Sequence, residues 1–250
     1  MDSNYFISRK TIRKYKTDTI SLEIIDSMLG QAAQAPTTGG MQLYSVVVTT
    51  DSNLKKELSP CHFNQPQVCE APVVLTFCAD FNRFIKWCIS GNATPGYDNF
   101  QSFITALLDT SIFAQQFNTI AEINGYGCCY LGTTTYNAPQ IAKILQLPKF
   151  CVPVATITVG LPDDNSYKAE RIPASGFVHH ETYQDYTPSD IRQIYAEKEM
   201  LAVNQKYTKE NGKPHLAQVF TDIRYTRANN EYFSKVYFDF ISQQGFVFPK

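Results

Sequence analysis

Between residues 98 and 124, Phe100, Phe103, Ile104, Leu107, Leu108, Phe113, Phe117, Ile120 and Ala121 mark a long and very apolar helix. A surface helix needs only one apolar stripe, so a helix this apolar has to lie in a core or an interface. The rest of the chain must supply that cover, alone or with a second subunit. With 250 residues, 44% of them hydrophobic, and 17 Phe and 15 Tyr, it can bury a substantial core as one large domain or a domain with appendages.

Around that segment, helix and strand signals alternate. Leu22, Ile25, Leu29, Ala32 and Ala33 keep helical spacing behind Ser21, a suitable N-cap, and Pro36 closes the run, which predicts a helix over about 21–34. The β-branched runs YSVVVTT (44–50) and PVVLTFCA (72–79) lack polar alternation, as expected for strands covered on both faces. A short strand is expected in GYGCCYLG (125–132), a helix from Asn137 and Pro139 to near Leu147, and a strong strand in VPVATITVG (152–160). From Leu161 to Thr187, weak periodicity predicts an extended arm and loops. A polar helix over 188–206, a flexible KYTKENGKPH (206–215) and a final helix over about 230–244 complete the expectation. Mixed α and β structure follows.

The formal net charge of -1 and a pI near 6.4 supply no basic field of the kind nucleic-acid binding needs, so any anion site must be local. No stretch approaches the roughly 20 apolar residues that span a bilayer, and MDSNYFISRK lacks the apolar core of a secretory signal. The seven Cys are odd in number and scattered, which suits a reducing compartment. A soluble, cytoplasmic chain without membrane or nucleic-acid partners is expected.

Several chemistries lack their usual supports. GYGCCY at 125–130 opens like a dinucleotide fingerprint, but Tyr130 takes the third glycine position and no acidic residue ends a following strand at the expected distance. Walker, G-x-S-x-G and H-E-x-x-H motifs are absent. Cys61, His62, Cys69, His179 and His180 carry metal-ligating atoms without the paired spacing of structural zinc, so no metal site is expected. Cys128 and Cys129, inside an apolar strand, read as small buried packing residues.

One cluster carries sharper chemistry. Arg9, Lys10 and Arg13 crowd around the hydroxyl of Thr11, close behind Phe6. Such a group can cradle a dianionic phosphate through charge-assisted hydrogen bonds. Taken alone, a short basic run is more often a solvated helix face, so context has to carry the phosphate reading.

The segments SRKTIRKY near the start, AAQAPTTGGMQ (32–42), APVVLTFCADFNRF (71–84), DTSIFAQQFNTIAEINGYGCCYLG (109–132), LQLPKFCVPVATITVGLPDD (145–164) and ERIPASGFVHHETYQ (170–184) occur in the order seen in the nitroreductase family. More narrowly, the chain resembles the NADPH-dependent nitroreductase and flavin reductase branch with a long C-terminal extension, a likeness that weakens after about Thr187. The resemblance implies an α+β fold: a mixed sheet flanked by helices, assembled as an intertwined homodimer with FMN at the subunit interface. It divides the chain into an FMN-binding core at 1–187 and a helical extension at 188–250, packing on the core or on the partner subunit.

Carried over residue by residue, the family pattern places Arg9, Lys10, Thr11 and Arg13 at the FMN phosphate and ribityl chain, joined by Arg171. Lys168 stands in for the Lys that relatives carry where this chain has Ala169. Thr37, Thr38, Gln42 and Gln65 fall where the family contacts the polar edges of the flavin, although threonine and glycine are also ordinary loop residues. Tyr130, Leu131, Gly132 and Thr133 match the segment that passes over the ring; Thr133 stands where relatives often have another glycine.

What this implies functionally is an FMN-dependent oxidoreductase passing a hydride from NADPH or NADH to small electron-poor acceptors such as nitroaromatics or quinones by a ping-pong mechanism. The chemistry resides on FMN, so no protein catalytic residue is required. NADPH is the favoured donor, with Lys206, Lys209, Lys213, Arg224 and Arg227 as candidates for its ribose phosphate. Two alternatives stay open: a flavin reductase releasing reduced FMN to a partner, and a flavin-binding protein without turnover.

Overall fold

The computed structural model describes residues 4–163 and 168–247. In chain order the elements are α1 (Asn4–Ser8), α2 (Leu22–Ala32), β1 (Tyr44–Thr49), α3 (Ser52–Leu58), α4 (Gln67–Glu70), β2 (Val73–Asp80), α5 (Asn82–Ser90), α6 (Phe100–Ile123), β3 (Gly127–Leu131), α7 (Ala138–Ile144), β4 (Cys151–Gly160), α8 (Pro188–Met200), α9 (Ala202–Glu210), α10 (Leu216–Val219) and α11 (Arg227–Gln243). They divide into two compact units, Met1–Tyr167 with Phe233–Lys250, and Lys168–Tyr232. The sequence-expected boundary at 187/188 falls inside the second of these.

In the first unit the four strands form one sheet in the order β1-β2-β4-β3. Every strand ladder among the described residues is antiparallel, and an isolated parallel bridge joins Asn99 to Val247. Pro153 is tolerated within β4 because the register against β2 slips at Phe77/Cys78. A bulge of this kind is where a residue without an N–H does least harm to a ladder. β2 is buried along its whole length, whereas β1, at an edge, is only half-buried over its middle residues. The expectation of cover on both faces therefore fails for β1.

The long apolar helix exists as α6. Asn99 caps it by accepting from the Ser102 N–H at 3.1 Å. At its other end Gly125 takes φ +85°, the Gly125 N–H reaches Glu122 O and the Tyr126 N–H reaches Ala121 O. That pair of bonds is a Schellman stop. Phe113, Ala114, Phe117 and Ala121 pack on Val73, Leu75, Phe77, Ile157 and Val159 of β2 and β4, with α2 alongside. The buried Phe side chains are worth about 1.5–3 kcal/mol each. Phe103 and Ala106 enter a second cluster with Leu43, Phe81, Phe240 and Phe246, which returns the end of α11 to the start of α6. The opposite face stays open, with Phe100, Leu108, Ile112 and Ile123 exposed.

In the second unit, residues 168–187 are irregular apart from a 3-10 turn at Ala174–Gly176. A capping box between Thr187 and Asp190 starts α8. The single helix expected over 188–206 is two helices, broken at Leu201, whose ψ of 131° is extended. Asn204, buried beneath the break, donates to Lys198 O at 2.8 Å and to Glu170 Oε1 at 3.2 Å. Nothing in the local periodicity marks that break; the tertiary hydrogen bonds of Asn204 accompany it. The stretch expected to be flexible contributes Lys206–Glu210 to α9 instead. No helix among the described residues is long and apolar enough to cross a membrane.

Candidate functional site

The cationic segment is laid against the edge of the sheet by two glycines. The Ile12 N–H donates to Cys128 O at 3.0 Å, the Lys16 N–H to Leu161 O at 2.9 Å, and Tyr15 bridges Pro162. A Cβ on Gly127 would lie 2.6 Å from Ile12 Cβ, and one on Gly160 would lie 2.7 Å from the Tyr15 ring. Only glycine at both places lets the segment come this close. The Tyr15 hydroxyl is buried and shares a hydrogen bond with Thr158 Oγ1 at 2.7 Å; burial pushes its pKa far above the usual phenol range. With Ile12 and Tyr15 turned inward, Arg13 is exposed and Lys10 and Thr11 are half-buried.

Arg9 is engaged differently. Its Nη2 donates to Glu122 Oε1 at 2.7 Å and its Nε to Glu122 Oε2 at 3.0 Å, closing a two-pronged ion pair with the end of α6. The Tyr5 hydroxyl donates to the same carboxylate at 2.6 Å. Burial and the adjacent carboxylate push the Tyr5 pKa up to about 12. The hydrogen bond to Glu122 raises that of Arg9. Two of the five guanidinium donors are thus spent inside the protein.

Midway along β3, Arg13 lies beside Cys129, whose thiol pKa is pushed up by burial and held back by the Arg13 charge. From the other side, the Gln67 side-chain amide approaches the Cys129 sulfur at 4.0 Å and donates to Gln65 Oε1 at 2.9 Å. His62 is fully buried, and its Nδ1 lies 2.9 Å from Thr133 Oγ1. The Asn137 side chain donates to Cys61 O at 2.7 Å. Residues 61–67 and 131–137 are therefore knitted into one rim around the end of β3. On that rim Gly132 is exposed, and a Cβ added there would meet nothing within 4 Å.

Thr37, Thr38 and Gln42 sit in the loop before β1. Asp109, buried on α6, accepts from the Thr37 hydroxyl, from the Thr38 N–H at 3.0 Å and hydroxyl at 2.9 Å, and from the Leu43 N–H at 3.3 Å. Gly39, Gly40 and Gln42 all take left-handed φ, 56°, 70° and 51°. For Gln42 that is a strained choice, held by its N–H to Thr37 Oγ1 at 2.9 Å and by Arg83, which donates to its carbonyl. The loop precedes one edge strand while Gly132 follows the other. Three strand spacings, roughly 14 Å, separate those edges. The fold thus joins Gln65 and Thr133 through His62, with Gly132 next in the chain to Thr133 and Arg13 beside Cys129 of the strand that leads there, and keeps Thr37, Thr38 and Gln42 apart from them.

The remaining candidates belong to the second unit. Arg171 is exposed and donates to the carbonyls of Ala169 and Glu170, and Lys168 is exposed. Lys206 pairs with Glu210 at 3.6 Å and Arg227 with Glu231 at 2.7 Å, each one helical turn away. Lys209 is exposed near the end of α9. Arg224 ends a π-helical turn and lies over the Tyr207 ring, 4.5 Å from its centroid.

Sequence reasoning did not single out Asp109, Glu122, Arg83 or a role for His62. Asp109 had a legible signal: it falls between Ala106 and Phe113 on the buried face of an apolar helix, where an ionised carboxylate requires partners. The other three depend on partners 41–113 residues away and had none.

The family model described as the nitroreductase family matches residues 7–161. Among solved structures, a protein of Bacteroides fragilis NCTC 9343 superposes with a TM-score of 0.96 at 50% identity, covering 98% of this chain and 99% of that one. An FMN reductase [NAD(P)H] of Bacillus subtilis strain 168 is 28% identical over 253 residues, covering 96% of each chain. An oxygen-insensitive NADPH nitroreductase of Salmonella typhimurium LT2 is 28% identical over 193 residues, covering 77% of this chain and 78% of that one.

Proposed function

Because the chain belongs to the nitroreductase family, we propose that it is an FMN-dependent oxidoreductase that takes reducing equivalents from NAD(P)H and delivers them to a small electron-poor acceptor. The observation that carries this reading is that β3 has Arg13 beside its Cys129 and runs into the rim where His62 joins Gln65 to Thr133, next to Gly132. At Gly132 the protein's own packing leaves room for a side chain that is not there. Open space at this glycine leaves a ligand free to come close to the backbone.

FMN, when bound, supplies the hydride and electron transfer. The protein's share is to hold and orient it. Lys10, Thr11 and Arg13 bind the phosphate and the adjoining ribityl hydroxyls, on a segment made rigid by Ile12 and Tyr15. Arg9 acts at one remove, fixing that segment to α6 through Glu122. Gln65 and the Tyr130–Thr133 segment would hold the ring, offering it side-chain amide and backbone N–H donors. Donor and acceptor use one cavity in turn, so parallel-line, ping-pong kinetics are expected. Intersecting steady-state plots would argue against that shared cavity.

Thr37, Thr38 and Gln42 reach a flavin only if a second copy of the chain brings its own loop to the rim, and a homodimer follows from this reading. The exposed apolar face of α6 suits such an interface. Sedimentation of FMN-loaded protein as a monomer would count against it. The cofactor and donor are tested together by the absorbance spectrum of purified protein before and after anaerobic NADPH. Flavin bands that bleach support the reading; a colourless protein that takes up no FMN overturns it. Bound flavin that neither NADPH nor NADH bleaches would favour the non-catalytic alternative.

A further inference from the structure

His62 holds two candidate ring-facing residues at once. Its carbonyl accepts the Gln65 N–H at 3.2 Å, and its ring bonds the Thr133 hydroxyl at 2.9 Å. The segment around Thr133 is anchored on either side of it. Thr134 Oγ1 donates to Leu131 O at 2.9 Å and shares a hydrogen bond with Thr156 Oγ1 at 3.0 Å, and Asn137 is tied to Cys61. Among the described residues, the bond to His62 is what fixes the Thr133 side chain itself. The turn that presents His62 is held in an uncommon shape, with Phe63 and Asn64 both left-handed at φ 53° and 54°.

An imidazole is a costly way to fill this space. His62 is fully buried, its Nε2 has no hydrogen-bond partner among the described residues, and burial lowers its pKa to about 4, so the ring is neutral at ordinary pH. A leucine would fill the volume without an unsatisfied polar atom. What leucine would lack is the bond to Thr133.

We infer that His62 is a positioning residue, which sets the Leu131–Thr133 segment and Gln65 relative to each other and thereby sets the polar contacts offered to the flavin ring. The inference rests on the FMN reading above. It predicts that the ring's oxidised and reduced forms, which differ in charge and hydrogen bonding at the atoms this segment faces, respond unequally when the tie is cut.

The test compares wild type, His62→Leu, His62→Asn, Thr133→Val and Thr133→Ser by FMN titration and by anaerobic redox titration of the bound flavin. His62→Leu and Thr133→Val should each weaken FMN binding about tenfold and the reduced form by a further tenfold. That second factor corresponds to a potential lowered by about 30 mV for a two-electron couple. The double variant should be no worse than either single one, since both remove the same bond. His62→Asn, whose amide reaches where Nδ1 stood, and Thr133→Ser should restore most of both values. Folded His62→Leu or Thr133→Val with wild-type affinity and potential overturns the inference, as do losses that add in the double variant. If His62→Leu fails to fold, Thr133→Val, at a half-buried position, decides the matter. A wild type that binds no FMN overturns the functional reading and takes this inference with it. Indifferent variants of an FMN-binding wild type overturn the inference alone.

Discussion

Asp109 and Thr38 are joined twice, the Thr38 N–H and hydroxyl both donating to Oδ1 of the carboxylate, at 3.0 and 2.9 Å. A buried acid on the long helix thereby dictates the path of a loop more than 70 residues earlier in the chain. Asp109→Ala leaves several loop donors without an acceptor, which should cost about 3 kcal/mol. For a chain of this size that is roughly a 6–12 °C drop in Tm by calorimetry. A Tm within a degree or two of wild type would mean the loop does not depend on this carboxylate.

Two glycines on or beside β3 should behave oppositely. Gly127→Ala forces a Cβ to 2.6 Å from Ile12 and should destabilise by about 1–3 kcal/mol through overpacking. Gly132→Ala meets open space, so stability should stay within about 0.5 kcal/mol while FMN affinity falls at least about tenfold. Unchanged affinity in a folded Gly132→Ala protein would remove the rim from the flavin site.

Arg9 and Arg13 should also separate. Arg9→Ala breaks a pair in which Glu122 is only 8% exposed, so a loss of about 1–2 kcal/mol is expected by urea denaturation, discounted for the 27% exposure of Arg9. Arg13→Ala should leave stability close to wild type and weaken FMN by one or two charge-assisted bonds, roughly ten- to a hundredfold. The ranking fails if Arg9→Ala costs more FMN affinity than Arg13→Ala.

Acid should act on His62. Its folded pKa, about 4, lies below the unfolded value near 6.5, so below 6.5 the unfolded chain binds more protons and stability falls as pH drops from 6.5 toward 4. Between pH 7 and pH 4.5 this group alone should remove about 2–3 kcal/mol. Urea midpoints of His62→Asn should fall less over the same range. Equal slopes for both proteins would show that His62 does not govern this part of the acid response.

Arg224 lies 4.5 Å from the centroid of the Tyr207 ring and 5.8 Å from that of the Phe220 ring, its charge set against aromatic faces. If it receives the ribose phosphate of NADPH, Arg224→Ala should lower kcat/KM for NADPH about tenfold and leave that for NADH within a factor of two. An equal fall for both nucleotides would deny it a part in discrimination.

Where local pattern was enough, the sequence was legible. Ser21 does cap α2, Asn137 and Pro139 do open α7, and the apolar run from Phe100 does continue to Ile123. Periodicity and capping act within a few residues, so they survive in a one-dimensional reading. The break at Leu201 did not, because the bonds made by Asn204 to Lys198 and Glu170 carry no helical or strand period.

By itself the chain's order of residues determined that a long apolar helix must find cover, that the strands are β-branched, and that four basic or hydroxyl side chains crowd at positions 9–13. Only the tertiary structure decided how those groups are used: Arg9 on Glu122, the Thr37 and Thr38 hydroxyls on Asp109, and the loop at 37–42 across the sheet from Gly132. The reason is that a side chain's donors are committed by whichever partner the folded chain brings within about 3 Å, and that proximity is a property of strand order and helix packing rather than of spacing along the chain.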